Sequence, residues 1–189
     1  MPNEEEAFVL DYLPKGRANS FKPEPVAQVI GKQFFSLLEV VPKKPLKAME
    51  TVYVGKEERD KIDFIKKRIN YGQLTSTAVA EIDKAIEKIV SDEKKRFLDF
   101  FNNAVPITLR RHQLQLLPGM GKKHMQDILR ERQKKPFESF EDLAKRVKLL
   151  PDPMKTIVKR IRLELEDESL NHYLFARPPV KERKFERRY

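Results

Sequence analysis

The chain contains no cysteine and no tryptophan, and only three of its 189 residues are histidine. Without cysteine it can form neither disulfides nor cysteine-type zinc sites, and it offers no thiol nucleophile. The histidines are His112, His124 and His172, and they show no metal-ligand spacing such as H-x-x-x-H. We therefore expect neither a metal centre nor a cofactor.

Long apolar runs are missing as well. No stretch reaches the roughly 18 apolar residues that a membrane span requires. The acidic start at Glu4, Glu5 and Glu6 is unlike a signal peptide. These features predict a cytoplasmic protein that makes no membrane contact.

Motifs of common enzyme classes are absent too: there is no Walker loop, no G-x-G-x-x-G fingerprint and no G-x-S-x-G nucleophile elbow. Nuclease chemistry would need clustered acids to hold metal ions. Residues 164–168 do contain such a cluster, but a helix end or an acidic loop explains it more simply. We therefore expect no enzymatic activity.

The basic residues are concentrated in one part of the chain. The formal net charge is +10, and 36% of the residues are charged, against about 25% in a typical soluble domain. Residues 1–56 carry a net +1 and residues 57–105 a net zero, whereas residues 106–189 hold 21 basic and 12 acidic residues. This localised excess is typical of a nucleic-acid-binding region, although a solvated basic surface has the same composition.

The first third alternates short β-favouring runs with proline and glycine corners. Runs at residues 8–13, 26–30, 34–41 and 50–54 predict four strands, with Gly31 as a break or bulge. The pattern resembles a small β-barrel of the OB type. Such barrels bind single strands through exposed aromatic rings beside cations, whereas a buried aromatic is simply barrel core. The predicted contacts are Lys32, Phe34, Tyr53 and Lys56.

The middle of the chain favours helices. Apolar residues at helical spacing predict a helix over residues 57–70. A second helix is predicted over residues 75–90, capped by Thr75 or Ser76, and a third begins after Ser91. Their apolar faces are interpreted as core and are assigned no chemistry.

Residues 117–123 read LPGMGKK, in which two glycines one residue apart lead into a helix-compatible run. Such a turn aims the unpaired N–H groups of a helix start outward, a geometry that suits a phosphate oxygen. The surrounding residues, from Leu114 to Leu129, resemble the helix-hairpin-helix motif of sequence-independent DNA-binding proteins. The resemblance implies a first helix over residues 109–116 and a second over residues 122–133.

In that family the second glycine lets a phosphate approach the amides, and the residues after it supply N–H donors and a cation. The resemblance therefore implies Gly119 and Gly121 as the phosphate-binding turn, with Met120 as an apolar plug between them. Met125 departs from the alanine that is usual in the family. The cations implied by the resemblance are Lys122 and Lys123, with Arg110 and Arg111 on the preceding helix.

The resemblance continues downstream of the turn. Residues 135–143 are similar to the connector in tandem helix-hairpin-helix domains of the competence-protein type, and Ser139 with Asp142 predicts a capping box. A second hairpin would fall at residues 150–155, where prolines hold both glycine positions. Because proline has no N–H to offer a phosphate, this second turn should pack without binding one.

The last 13 residues form a basic tail. Residues 177–189 hold six basic and two acidic residues with two prolines, which predicts an extended arm. Such an arm either grips nucleic acid or only solubilises the chain. The tail residues predicted to touch nucleic acid are Arg183, Lys184, Arg187 and Arg188.

Taken whole, the chain resembles an archaeal family of uncharacterised proteins predicted to bind nucleic acid. The expected fold class is α+β, with an OB-like barrel (1–56), a helical segment (57–105), a helix-hairpin-helix domain (106–176) and a basic tail (177–189). The expected function is non-enzymatic binding of RNA or DNA through the phosphate backbone, with RNA slightly favoured, alongside a ribosomal or replication/repair partner protein. The alternative is a structural or adaptor protein whose basic face docks on an acidic protein or ribonucleoprotein surface.

Overall fold

A computed structural model describes residues 3–17 and 23–180, and the fold is α+β as expected. The chain divides into two compact units. The first, here called the sheet unit, combines the residues up to Ile82 with those from Glu164 onward. The second, here called the helical unit, is Asp83–Leu163.

The sheet unit is built on five antiparallel strands. They are β1 Glu6–Leu13, β2 Val26–Gly31, β3 Leu37–Pro42, β4 Thr51–Tyr53 and β5 Ile62–Arg68. Their order in the sheet is β4-β1-β2-β3-β5. The first four confirm the strands predicted from alternation and from glycine and proline corners.

The sheet curls into a half-barrel around one apolar face. Val9, Val29, Val40 and Val52 are buried in its core, one from each of the first four strands. The β1–β2 register shifts between Val9 and Asp11, and such a bulge increases the local twist of a strand. Curling of the sheet therefore follows from its bulges as well as from its apolar face.

The predicted helix over residues 57–70 is wrong, because strand β5 lies there. Pairing with β3 skips Asp63 and Lys66, so that β5 carries two bulges. Each bulge adds a residue, which places the inward side chains Ile62 and Ile65 three positions apart. The bulged strand thus imitates the spacing of a helix.

A second feature of the sheet unit is residues 174–180, here called the strap. The buried carboxylate of Glu164 accepts hydrogen bonds from the amides of Leu174, Phe175 and Ala176, at 2.7–2.9 Å. Further along the strap, the amide of Arg177 donates to the carbonyl of Phe34 (2.9 Å). The strap therefore runs over the loop between β2 and β3.

The end of the strap is held by strand β5 and the residues after it. The Arg68 guanidinium donates to the carbonyls of Arg177 (2.9 Å) and Pro178. Asn70 makes a reciprocal pair with the backbone of Val180, at 2.9 and 3.0 Å. Both ends of the strap are thus fixed within the sheet unit.

Five α-helices lie in the described part of the chain. Thr75 caps the first, since its Oγ1 accepts from the Ala78 amide (3.1 Å), and Ser139 caps the fourth, since its Oγ accepts from the Asp142 amide (3.0 Å). Both caps were predicted, but the predicted capping box is only half formed, because the Asp142 carboxylate accepts from the Glu138 amide (3.2 Å) instead of the Ser139 amide. The helices are α1 Ser76–Asp92, α2 Lys94–Asn103, α3 Lys122–Lys134, α4 Phe140–Arg146 and α5 Pro153–Glu166.

The predicted first helix of the hairpin, over residues 109–116, is also wrong. A two-stranded hairpin of β6 (Pro106–Thr108) and β7 (Arg111–His112) precedes a short 3-10 helix, Gln113–Leu116. Pairing of Pro106 with His112 and of Thr108 with Arg111 takes these residues out of any helix. Arg110 and Arg111 therefore lie on the hairpin, not on a helix.

Candidate nucleic-acid interface

The glycine turn joins the 3-10 helix to α3 within the helical unit. Gly119 has φ +77°, in the left-handed region that glycine enters without strain. Met120 is buried, and its amide donates to the carbonyl of Leu117 (3.0 Å). Gly121 then begins α3, since its carbonyl accepts from the Met125 amide (3.1 Å).

Gly121, unlike Gly119, has open space where a side chain would stand. Its φ of −78° and ψ of 173° are open to any residue, and a Cβ placed there would meet no atom within 4 Å. No side chain caps the start of α3, and its first turn contains no acidic residue. The α3 N-terminus is therefore uncovered, with the partial positive charge of its amides facing open space.

Arg160 and Pro151 support the glycine turn from the C-terminal half of the helical unit. The buried Arg160 of α5 donates to the carbonyl of Leu116 (3.2 Å), at the end of the 3-10 helix. The ring of Pro151 lies 3.4 Å from where a Cβ on Gly119 would stand. The second, proline-containing turn thus packs against the glycine turn.

A groove of about 440 Å³ opens beside the turn, between the β6–β7 hairpin and the start of α3. Three of its lining residues are cationic: Arg110 and Arg111 from the hairpin, and Lys122 from the helix. Lys122 and its neighbour Lys123 are both exposed. Hairpin and helix therefore bring together cations that are up to 12 positions apart in the sequence.

These four cations are uncommitted within the described part of the chain, where none of them forms an ion pair. Other arginines of the helical unit have structural partners. Arg132 donates to the carbonyls of Phe101 (3.1 Å) and Ala104 (2.9 Å) at the end of α2, and Arg146 donates to the carbonyl of Lys135 (2.7 Å) after α3. The groove thus holds cations that the fold itself leaves unused.

His112 ends the β6–β7 hairpin and lines the groove. It is buried, and its Nδ1 accepts from the Leu114 amide (3.1 Å), which caps the 3-10 helix. Burial, together with the positive charge of Arg132, lowers the pKa of His112 below its ordinary 6.5. The neutral imidazole is the form that can accept this bond, so burial and hydrogen bonding favour the same state.

Comparison with known proteins places the chain in a family. The family model described as "Protein of unknown function (DUF655)" matches residues 3–177. The chain is a DUF655 protein.

Two relatives, both from archaea, support this placement. "Uncharacterized protein MJ0038" from Methanocaldococcus jannaschii is 43% identical over 178 residues, covering 92% of this chain and 80% of that protein. The crystal structure of Af1531 from Archaeoglobus fulgidus, described as a DUF655 family model, is 46% identical in sequence to this chain, with a TM-score of 0.82. That match covers 92% of this chain and 100% of the other.

The barrel residues predicted to bind nucleic acid lie in the sheet unit of this DUF655 protein, and three of them have internal contacts. Lys32 pairs with Glu6 (3.0 Å), and Arg177 lies over the ring of Phe34 at 5.1 Å. The Tyr53 ring folds over Gly55, where an added Cβ would clash with it.

The other predicted contacts are divided between surface and tail. Lys56 is exposed on the sheet unit. The four tail residues Arg183, Lys184, Arg187 and Arg188 lie outside the described residues, so their predicted role stays a prediction.

Sequence reasoning missed two exposed leucines, Leu109 and Leu149, which flank the turn region in the chain. The sequence pattern assigns Leu109 to the predicted helix over residues 109–116. Leu149 adopts a left-handed φ of 59°, a conformation that no sequence pattern predicts for leucine. It also missed Phe64 on β5, which is 43% exposed. Of the three residues, only Phe64 could have been found from the sequence. An aromatic residue close to Lys66 and Lys67 is typical of an exposed sheet surface.

Among the helices of the described residues, none combines the length and the apolar character that a membrane span requires.

Proposed function

We propose that this protein binds nucleic acid without catalysis and contacts the phosphate backbone through the glycine turn, in the manner of a helix-hairpin-helix. The observation that carries the proposal is the space around Gly121. Neither the backbone conformation nor the packing requires glycine at this position. Because glycine has no side chain, the α3 N-terminus stays accessible to a ligand. A phosphate oxygen is the group that such a helix start favours.

The adjacent groove supplies the charge that such a contact needs. Arg110, Arg111 and Lys122 line it, and Lys123 follows on the same helix. Guanidinium groups form paired hydrogen bonds with phosphate, and lysine adds a point charge. One strand of backbone running through the groove would meet the cations and the helix start together.

The sheet unit favours RNA or single strands as the ligand over duplex DNA. The curled sheet has five strands, as an OB-type barrel does, and that fold binds oligonucleotides. We therefore propose RNA as the slightly preferred ligand, with a ribosomal or replication/repair protein as the partner.

A salt series with labelled single-stranded RNA, duplex RNA and duplex DNA tests the proposal. We expect binding that weakens steeply with salt, because each phosphate contact releases counterions. Replacing Lys122 and Lys123 with alanine should lower the salt slope by about one to two and weaken all ligands alike.

The chain offers a matched control for this variant. Lys94 and Lys95 are consecutive exposed lysines that open α2, so changing both to alanine removes the same charge from the same position on another helix. We expect that control to bind as the wild type does. Absence of binding to all three ligands at low salt would refute the proposal and favour docking on an acidic protein or ribonucleoprotein surface.

A further inference from the structure

Two leucines of the helical unit are exposed far beyond what folding explains. Leu109 stands fully exposed at the tip of the β6–β7 hairpin, and Leu149 is 88% exposed in the connection between α4 and α5. They are the two most exposed of the large apolar residues in the described part of the chain. Because neither side chain is buried, neither adds hydrophobic stabilisation to the fold.

Leu149 is unfavourable in its backbone as well. Its φ of 59° lies in the left-handed region, where a side chain with a Cβ crowds the following carbonyl. Glycine or asparagine would occupy this position with less strain. Strained backbone that packing does not reward is more common where a residue meets a ligand.

Leu109 lies at the proposed phosphate site, and Leu149 lies on the connection that packs at the glycine turn. Leu109 lines the groove together with Arg110 and Lys122. Leu149 is two residues before Pro151, whose ring packs at the glycine turn. The helical unit therefore presents one apolar tip in the cationic groove and a second exposed leucine on the connection that packs at the glycine turn.

This combination restricts the ligand. In a continuous double helix the apolar faces of the bases are covered by stacking, and the accessible groups are the phosphates, the sugars and the polar base edges. A base face opens only where stacking is interrupted, as at a bulge, and such sites are what proteins recognise in structured RNA. Leucine is among the apolar residues that proteins insert at opened base steps.

We propose that the site takes a helix interrupted by an unpaired nucleotide. Leu109 and Leu149 pack on the opened bases, while Lys122, Lys123 and the α3 N-terminus hold the phosphates of the paired flank. This inference rests on the proposed function, since it requires nucleic acid in the groove. It adds a preference for interrupted over continuous helices.

The test compares two RNA duplexes that are identical except for one unpaired adenosine, with the same pair in DNA as a second arm. We expect the wild type to bind the bulged RNA about tenfold more tightly than the paired RNA, because less stacking has to be broken. The DNA arm shows whether the preference depends on the sugar. Equal binding to both members of each pair would overturn the inference and leave the proposed function standing.

Three variants assign the preference to the leucines. Leu109→Ala changes a fully exposed side chain, and Leu149→Gly removes the side chain and the backbone strain together, so both should fold. The double variant should bind bulged and paired RNA equally, at the affinity of the wild type for paired RNA. Leu163→Ala, at an exposed leucine of α5 in the same unit, should keep the preference.

The remaining outcomes also decide. A double variant that keeps the tenfold preference would overturn the inference. Leucine-dependent binding to vesicles of anionic phospholipid, with no RNA discrimination, would assign the two leucines to a membrane instead. Failure of every RNA and DNA to bind would overturn this inference and the proposed function together.

Discussion

Gly121 and Gly72 share an unusual property among the six glycines of the chain, because a Cβ at either would meet no atom within 4 Å. Neither has a positive φ. Gly121 differs in standing at the start of a 13-residue helix with no side-chain cap. A change at Gly121 can therefore separate the stability of the helix from its use as an anion site.

We expect Gly121→Asp to raise the free energy of unfolding slightly while weakening RNA binding. Aspartate is a good N-cap and its charge suits the helix dipole, together worth about 0.5 kcal/mol. The same carboxylate would occupy the phosphate position and repel the ligand, with an expected loss of at least about tenfold in affinity. Urea unfolding and RNA titration measure the two effects.

Gly72→Asp is the control, since it adds the same charge at the other open glycine. It should leave RNA affinity within about twofold of the wild type. If the two variants weakened binding equally, the effect would be one of net charge and the glycine turn would have no special part.

The buried His112 makes stability depend on pH. Its pKa is lowered in the folded protein, so between the ordinary value of 6.5 and the folded value the unfolded chain binds a proton that the folded chain does not. The free energy of unfolding should therefore be highest above pH 6.5 and fall as the pH drops below it. The slope from one group is at most about 1.4 kcal/mol per pH unit.

His112→Asn isolates this contribution, because asparagine can accept the Leu114 amide without titrating. Urea unfolding from pH 8 to pH 5 should show a shallower fall for the variant than for the wild type. The other histidines, His124 and His172, are present in both proteins and cancel in the difference. Parallel curves would show that His112 does not titrate differently on folding.

At the scale of elements, the clearest dependence is that of the strap on Glu164. One carboxylate of α5 accepts the amides of residues 174–176, and it is almost completely buried. A glutamine has one acceptor oxygen, and its NH2 group would face an amide N–H. Each unsatisfied buried group is costly in free energy.

We expect Glu164→Gln to lower the free energy of unfolding by about 1–3 kcal/mol. Hydrogen exchange should locate the effect as lost protection at the amides of residues 174–176. Glu166→Gln, on the exposed face of the same helix, should change the stability by less than about 0.5 kcal/mol. Unchanged protection at the three amides would contradict the role given to Glu164.

The elements also explain which parts of the fold could be predicted. Strands β1 to β4 and helices α1 to α5 follow local rules, namely period-two or helical spacing with caps and corners. Strand β5 does not, because its bulges at Asp63 and Lys66 give inward residues a helix-like spacing. Bulges arise from pairing with a distant strand, and local patterns do not contain that information.

The candidate site divides in the same way. Gly119 and Gly121 could be read from the sequence, since a glycine turn before a helix is a local signal. Arg110 and Arg111 were expected near the turn but on a helix, because the apolar pattern of residues 109–116 hid the hairpin. The support from Arg160 depends on tertiary packing 44 positions away in the chain.

At the scale of the whole molecule, the sheet unit is discontinuous in sequence. It contains residues on both sides of the helical unit, Asp83–Leu163. Its strap bonds through backbone groups that include the Arg177 amide and both backbone groups of Val180. Removing residues 177–180 should therefore lower the stability of a sheet whose strands lie more than 100 positions earlier in the chain.

We expect a chain ending at Ala176 to be less stable than one ending at Val180. The shorter chain loses the bonds of residues 177–180 to Phe34, Arg68 and Asn70, and we expect this to cost about 1–3 kcal/mol. Thermal unfolding of the two chains under one buffer measures the difference. Equal midpoints would mean that the bonds of residues 177–180 add nothing to the sheet unit.

The strap has a consequence for how the protein is made. Strands β1 to β5 leave the ribosome first, but Glu164 and residues 174–180 follow only after the entire helical unit has been translated. At about 5–20 residues per second, the sheet waits on the order of ten seconds for them. During that interval the Phe34 ring lacks the Arg177 side chain that covers it in the finished protein. The sheet unit, whose five strands are made before the helical unit, is therefore completed only after the helical unit has been synthesised.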